Sequence, residues 1–449
     1  MQTNLQIFEQ EKIFFIGIGG VSMSALALYL KSMNLKVGGS DQTQNAETLK
    51  LKNEGVEVFI GHDKNNIKGY TTIVYTSAID NLNPELTLAK QLGLKILKRS
   101  ELLGLIVKQF KNSIAVCGSH GKTTTTSMLT CAFNDNALKP TAFIGGDSAS
   151  LNNLTKGDNG YVILEACEYK KNFLDIKPTV SVVLNIDDDH VDTFSSDLDR
   201  YHAFSKFTEN TLCFYNKDDI KGYSLTAKKL ISFGIKSDCD YLAVNLKKNQ
   251  NGYSFTVRHN NQNLVRVNLN ILGKHNVYNA LACVAVSHYL NLDLKLVKFA
   301  LENFNGVKRR NEYLGNLLGL KTFADYAHHP TEIKAYLDSQ NKTLDKSIVI
   351  FQPHTFSRTK VLMEKFIKVL QKDFDLIIYK TYPAREKFDK DGSAKSLYSK
   401  IKDKGKQNVY YISDKKSLLS TIKLLKNGKD RLYVLGAGDI YQIIKNFIN

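Results

Sequence analysis

One stretch of this chain is built to hold an anion: Ala115-Val116-Cys117-Gly118-Ser119-His120-Gly121-Lys122-Thr123-Thr124. An apolar run that reads as a strand leads into a glycine turn, and Lys-Thr opens a helix. Backbone N–H groups at such a turn converge on an anion, and the helix N-terminus adds favourable partial charge. In that geometry Lys122 reaches the β- and γ-phosphates of a nucleotide and the Thr123 hydroxyl sits on Mg2+. The full phosphate-loop pattern wants a glycine five residues before Gly121, where this chain has Val116. An ordinary strand–turn–helix is the alternative, and it leaves the Gly-Lys-Thr run unexplained.

A nucleotide site needs metal ligands, and two segments offer them at strand ends. Glu165 closes the apolar run Tyr161-Val162-Ile163-Leu164, where a carboxylate faces the carboxyl edge of a parallel sheet. Asn185-Ile186-Asp187-Asp188-Asp189-His190 follows the next such run, and His190 reads as a ligand or general base. A solvated loop or a helix cap is the competing reading of the three aspartates.

Two further clusters follow the same logic. Gly17-Ile18-Gly19-Gly20-Val21-Ser22 succeeds a strand, with Asp41 about twenty residues on, close to the dinucleotide fingerprint. It predicts a pyrophosphate on a helix N-terminus and a ribose hydroxyl on Asp41, and leaves the nucleotide open. Asp325-Tyr326-Ala327-His328-His329-Pro330 and Gln352-Pro353-His354-Thr355-Phe356-Ser357-Arg358 both follow apolar runs, predicting one rim of a third sheet. His and Arg gathered there suit a carboxylate or phosphate. Zinc on His328, His329 and His354 competes, without a cysteine or close acidic partner to support it. Gly436-Ala437-Gly438-Asp439 reads as a packing turn.

The elements that must position these residues alternate in the manner of parallel α/β sheets. Strands are expected at Lys12–Ile18, Lys36–Gly39, Glu57–Ile60, Thr72–Thr76 and Lys95–Leu97, then at Ser113–Cys117, Tyr161–Glu165 and Val180–Asn185. Tyr253–Arg258 and Leu264–Leu269 around Asn260-Asn261 predict an antiparallel hairpin, followed by a helix over Asn276–Leu290. Ser347–Gln352, Leu376–Lys380, Val409–Ile412 and Arg431–Leu435 supply strands of a third unit.

At 449 residues the chain has room for about three domains. Its 43% hydrophobic and 23% charged residues exclude wholesale disorder. Lys and Arg number 61 against 44 Asp and Glu, a net +17 that suits anionic partners, although no long basic run concentrates it. The six cysteines form no C-x-x-C pair, which points to a reducing cytoplasm. Ile13–Leu30 lacks charge over 18 residues, but acidic Glu9 and Glu11 precede it and glycines break it. A strand, turn and helix in a soluble protein explain it better than a membrane span.

Together these segments resemble the Mur ligases of bacterial peptidoglycan synthesis. Gly273-Lys274-His275-Asn276-Val277-Tyr278-Asn279-Ala280 and Gly306-Val307-Lys308-Arg309-Arg310 join the motifs above in family order from residue 13 to residue 440. The His-His-Pro-Thr-Glu and Gln-Pro-His segments resemble the alanine-adding branch. The resemblance implies a Rossmann-like UDP-sugar domain (1–110), a central phosphate-loop ATPase with a mostly parallel sheet and a small antiparallel part (111–311), and a Rossmann-like amino-acid domain (312–449). It implies ATP and Mg2+ as cofactors. The implied reaction phosphorylates the lactyl carboxylate of UDP-N-acetylmuramate, and the amine of L-alanine then attacks the acyl phosphate.

By matching position, the resemblance places ATP on Gly118, Ser119, His120, Gly121, Lys122, Thr123 and Thr124. Adenine falls near His275, Asn276 and Asn279, the ATP phosphates near Arg310 and the ribose near Asp325. Thr123, Glu165 and His190 are the implied metal ligands. Gly17, Gly19, Gly20, Ser22, Asp41 and Ser77 are implied for the UDP-sugar, and His329, His354 and Arg358 for L-alanine and the moving phosphoryl group. Ser119, Cys167 and Tyr169 depart from the usual Thr, Asp and Ser. Lys170, Lys171 and Lys206 are available for the carbamylation some relatives carry, which is not expected here. The implied protein is a cytoplasmic monomer or weak dimer that neither binds nucleic acid nor inserts in a membrane. A sister ligase with another amino acid or a recycled peptide is the nearest alternative. A nicotinamide-dependent oxidoreductase leaves Lys122 unexplained, and a basic nucleic-acid binder leaves both glycine turns unexplained.

Overall fold

The computed structural model describes residues 8, 10–146, 151–158, 160–187, 193–219, 225–236, 238–384 and 386–448. They form two compact units: one takes in the chain up to Asn305 apart from a short stretch at 271–275, which joins the second, Gly306 onward.

The first unit contains two sheets. In the first, β1 (Lys12–Ile16), β2 (Lys36–Asp41), β3 (Glu57–Ile60), β4 (Thr72–Tyr75) and β5 (Lys95–Lys98) run parallel in the order β3-β2-β1-β4-β5. Ile13, Phe14, Phe15 and Ile16 are fully buried, as a strand covered on both faces requires. β1 stops at Ile16, two residues short of the expected Ile18, because Gly17 turns away at φ +83°. The helix Val21–Lys31 follows, so the charge-poor stretch is a strand, a turn and a helix. No described helix is long and apolar enough to cross a membrane.

The second sheet has β6 (Asn112–Cys117) near its middle. Around it lie β7 (Thr141–Phe143), β8 (Leu154–Thr155), β9 (Tyr161–Glu165), β10 (Val180–Val183), β11 (Leu212–Asn216), β12 (Lys229–Gly234), β13 (Tyr241–Lys248), β14 (Tyr253–His259) and β15 (Gln262–Leu269). The order is β15-β14-β13-β12-β11-β10-β6-β9-β7-β8. Pairing is parallel from β7 through β9, β6, β10, β11 and β12 to β13, and antiparallel at β8 and in β13-β14-β15. The expected hairpin is therefore present, with Asn260 and Asn261 at φ +48° and +62° in its turn.

The two sheets are joined by a buried amide. Asn153, fully buried, donates from Nδ2 to the Val21 carbonyl at 3.0 Å, to Ser24 Oγ at 3.1 Å and to Glu47 Oε2 at 3.4 Å, while its Oδ1 accepts from Lys50 Nζ at 3.2 Å.

The second unit is one sheet: β16 (Glu312–Leu317), β17 (Leu320–Asp325), β18 (Ser347–Phe351), β19 (Asp375–Tyr379), β20 (Val409–Ile412) and β21 (Arg431–Leu435), ordered β16-β17-β21-β18-β19-β20. Only the hairpin strand β16 runs antiparallel among its described pairings. Helices bury both faces: Ile333 and Leu337, Phe366 and Leu397 pack on one, Leu418, Ile422, Ile440 and Ile444 on the other. The reading of an α/β fold with mostly parallel sheets and a small antiparallel part is thus what the chain forms.

Candidate active site

β6 delivers the chain to a turn through Gly118, at φ +130°, and Gly121, at φ +86°, before the helix Lys122–Asp135. The left-handed conformation costs a side-chain-bearing residue about 1–2 kcal/mol, and a Cβ on Gly121 would also lie 2.6 Å from Asn279 Oδ1. Asn185, just past β10, fastens the loop: its Oδ1 accepts the His120 N–H at 2.7 Å and its Nδ2 donates to the His120 carbonyl at 2.9 Å. Ser119 Oγ accepts the Asp187 N–H at 3.0 Å, and His120 Nε2 lies 3.2 Å from Asp187 Oδ2. The turn is thereby fastened to a neighbouring strand end.

The Lys122 ammonium donates to the Gly118 carbonyl, to the Ser119 carbonyl at 3.3 Å, and to both oxygens of buried Glu168 at 3.2 and 3.1 Å. Burial opposes its charge, but Glu168, with Cys167 and Glu165 nearby, raises its pKa, so it remains a cation. Glu165 ends β9 in register beside Val116 of β6 and accepts the Gly145 N–H. Thr123 lies in the first turn of the helix. A carboxylate and a hydroxyl are the oxygen donors that a hard divalent cation takes, so this donor set fits Mg2+. Expected ligand His190 lies outside the described residues. Thr124 is buried, and Asn279 Nδ2 donates to Asn276 Oδ1 at 3.0 Å.

At the first sheet, Gly17 and Ile18 donate their N–H groups to the Ser40 carbonyl at 2.8 and 2.9 Å. Asp41 Oδ2 accepts the Gly19 N–H at 2.9 Å, and Gly20 caps the helix Val21–Lys31. Asp41 therefore braces the turn in addition to whatever it offers a ligand. Beside the turn is a cleft of 240 Å³ lined by Tyr75, Ser77, Ile79, Asn81, Lys98, Arg99, Ser100, Lys170 and Asn172, three cations and no carboxylate. Arg99 reaches across to Ser22 Oγ at 3.1 Å, and Lys170 Nζ donates to the Ser77 carbonyl at 3.2 Å. Ser77 thus lines this cationic cleft, and Ser22 is tied to it through Arg99.

In the second unit, Asp325 ends β17 and accepts N–H groups from Ala327 and Asn311, each at 2.8 Å. Burial raises its pKa to about 6 against the pull of Arg310 and those two donors. Arg310 lies 3.7 Å from Glu332, which also sits 3.2 Å from His328 Nδ1. His328 therefore has the acidic partner not evident in the sequence, supplied from the first turn of the helix Pro330–Ser339. His329 caps the helix Pro330–Ser339, its Nδ1 accepting the Thr331 N–H at 3.3 Å. His354 stacks on Tyr382 and receives Arg358, which donates to its carbonyl at 3.1 Å. Burial, then the adjacent His328 and Arg358, lower the His354 pKa to about 3. His275 packs against Gly273, where a Cβ would lie 2.3 Å from the ring. The Gly436–Asp439 turn is indeed a packing turn: Gln352 donates to Asp439 Oδ1 at 2.7 Å and accepts the Ile440 N–H at 3.0 Å.

Glu168 as the partner of Lys122, Asn185 as the fastener of the loop, and Arg99 with Lys98 and Lys170 were not singled out by type and spacing. The signal for Arg99 was present: a Lys-Arg pair at the carboxyl end of a strand in a glycine-turn domain.

Family profiles match three successive parts of the chain: "Mur ligase family, catalytic domain" over residues 12–111, "Mur ligase middle domain" over 116–287 and "Mur ligase, glutamate ligase domain" over 309–438. A UDP-N-acetylmuramate–L-alanine ligase of Caldicellulosiruptor saccharolyticus is 42% identical over 444 residues, 97% of either chain. The chain belongs to the Mur ligase family. The enzyme of the same description from Clostridium botulinum is 39% identical over 98% of either chain. Among solved structures, the UDP-N-acetylmuramate–alanine ligase of Thermotoga maritima superimposes with a TM-score of 0.84 at 29% identity, covering 98% of each chain. A murein peptide ligase from Psychrobacter arcticus shares the Mur ligase fold, with a TM-score of 0.74 at 21% identity over 97% of this chain and 98% of that one.

Proposed function

We propose that this Mur ligase joins L-alanine to the lactyl carboxylate of UDP-N-acetylmuramate at the expense of ATP, in peptidoglycan precursor synthesis. The observation that carries the reading is the Lys122 turn, with Glu165 and Glu168 beside it, in a chain 42% identical over nearly its whole length to a ligase of that description. A carboxylate resists attack by an amine until one oxygen becomes a leaving group, and ATP supplies the phosphoryl that makes the acyl phosphate. Bringing two anions together calls for cations on the developing charge. Lys122 fills that need at the phosphate loop, with the loop N–H groups of residues 118–124 around it. Thr123 and Glu165, together with His190, would hold Mg2+, which offsets phosphate charge when bound.

In this reading the UDP-sugar occupies the first sheet's carboxyl edge, from the Gly17–Ser22 turn and Asp41 to Ser77. Asn276 and Asn279, with His275, serve adenine, while Arg310 and Asp325 serve phosphate and ribose. His329, His354 and Arg358 receive L-alanine and the transferring group. His354, held neutral, offers a hydrogen bond rather than a charge, and Arg358 supplies the cation. The domains divide at 110/111 and 311/312.

The test is phosphate release with ATP, Mg2+ and UDP-N-acetylmuramate across a panel of amino acids, with Lys122→Ala as control. Release that requires L-alanine and vanishes in the variant is expected. Release with another amino acid or a peptide transfers the mechanism to a sister ligase, and no release from folded, ATP-binding protein refutes the reading.

A further inference from the structure

The Lys122 ammonium has three N–H donors, and four oxygens already surround it: the Gly118 and Ser119 carbonyls and both oxygens of Glu168. It is folded back against the loop that it is expected to serve. Glu168 is 2% exposed, so its charge acts on Lys122 with little screening by water. A nucleotide phosphate must therefore compete with a buried carboxylate for the same cation.

Glu168 also opens the segment that lines the neighbouring cleft. Its carbonyl accepts the Lys171 N–H at 2.8 Å, and Lys170 and Lys171 turn the chain at φ +52° and +57°. Lys170 then reaches the Ser77 carbonyl at 3.2 Å, and Asn172 Oδ1 accepts from Ser100 Oγ at 3.3 Å. The side chain that holds Lys122 is thus two positions from Lys170 and four from Asn172, both of which line the cationic cleft. Anything that seats in the cleft bears on the segment carrying Glu168.

We infer that Glu168 is a positioning residue that holds the Lys122 ammonium back against its own loop until the cleft is filled, restraining use of ATP when no acceptor is present. This inference rests on the reading of Lys122 as the phosphate-binding lysine. Its predicted failure mode is hydrolysis: with the restraint gone, water replaces the acceptor carboxylate at the γ-phosphorus, and ATP and water give ADP and phosphate.

The experiment compares the full-length wild type with Glu168→Gln and Glu168→Asp. It reads calorimetric binding of a non-hydrolysable ATP analogue, and phosphate release with and without UDP-N-acetylmuramate and L-alanine. In Glu168→Gln, which keeps the shape and removes the charge, analogue affinity and the apparent affinity for ATP should rise three- to tenfold. The ligation kcat should fall at least tenfold, and acceptor-free release should rise relative to ligation. Glu168→Asp should restore most of the coupling, and it serves as the decisive variant if Glu168→Gln does not fold. A purely structural Glu168 predicts the opposite sign, weaker analogue binding together with lower kcat, and that result overturns the inference, as does an unchanged split between KM and kcat. If the wild type releases no acceptor-dependent phosphate, the proposed ligase activity is what fails, while the analogue-binding comparison still reports on Glu168.

Discussion

The guanidinium of Arg99 donates to the hydroxyl of Ser22 at 3.1 Å, linking the carboxyl end of β5 to the first turn of the helix that follows the Gly17–Gly20 loop. A half-buried cation is thereby aimed along the lip of a cleft that also holds Lys98 and Lys170.

Arg99→Met keeps the length of the side chain and removes its charge. Hydrogen bonds to charged groups are worth about 1.5–3 kcal/mol, so the Kd for UDP-N-acetylmuramate should rise roughly 10- to 100-fold. Calorimetric titration of the sugar nucleotide measures this. A change below threefold would remove Arg99 from the binding site.

Gly121→Ala meets two obstacles, φ +86° and the Asn279 amide 2.6 Å from the new Cβ. The backbone term alone is about 1–2 kcal/mol. ATP binding should weaken by at least tenfold, because relief of the clash distorts the turn that presents the N–H groups. Fluorescent-nucleotide titration is the readout, and wild-type affinity in this variant would show that the turn is not part of the nucleotide site.

Asn153→Ala removes an amide that serves Val21, Ser24, Glu47 and Lys50 together. Leaving buried polar partners unmet costs about 1–3 kcal/mol. Urea unfolding monitored by circular dichroism should show a loss of that size. A loss under about 0.5 kcal/mol would place the join between the two sheets elsewhere.

His354 gives the second unit a pH dependence of defined sign. Its folded pKa, about 3, lies below the ordinary 6.5, so the native state binds fewer protons than the unfolded chain. Its contribution is full above about pH 6.5 and is lost as pH falls towards 3. His354→Gln should show a shallower fall in stability between pH 6.5 and 4 than the wild type. Parallel stability curves would contradict the burial and charge crowding described for this ring.

The frame of the molecule was readable because buried parallel strands are continuous apolar runs ended by turns. Tyr161–Glu165, Val409–Ile412 and Arg431–Leu435 form over the expected residues. β12 and β13 are not legible as strands because Lys229, Lys247 and Lys248 dilute their apolar pattern. β16 is not legible for another reason: Gly315 interrupts it, and the register shifts there. Within the candidate site, the residues on glycine turns and strand ends are the ones that type and spacing single out. Glu168 is not among them, since its meaning depends on Lys122, 46 positions earlier, and Arg99 depends on Ser22, 77 positions earlier. Such pairings arise from strand order, which single-sequence patterns do not encode.

The cap that His329 makes on the helix Pro330–Ser339 settles a question of tautomers. Because Nδ1 accepts the Thr331 N–H, the neutral ring must carry its proton on Nε2. A ring in that tautomer offers an N–H to an anion and has no lone pair left for an incoming ammonium. In the proposed reaction His329 would therefore steady a carboxylate or phosphoryl oxygen, leaving deprotonation of the amine to another group or to water.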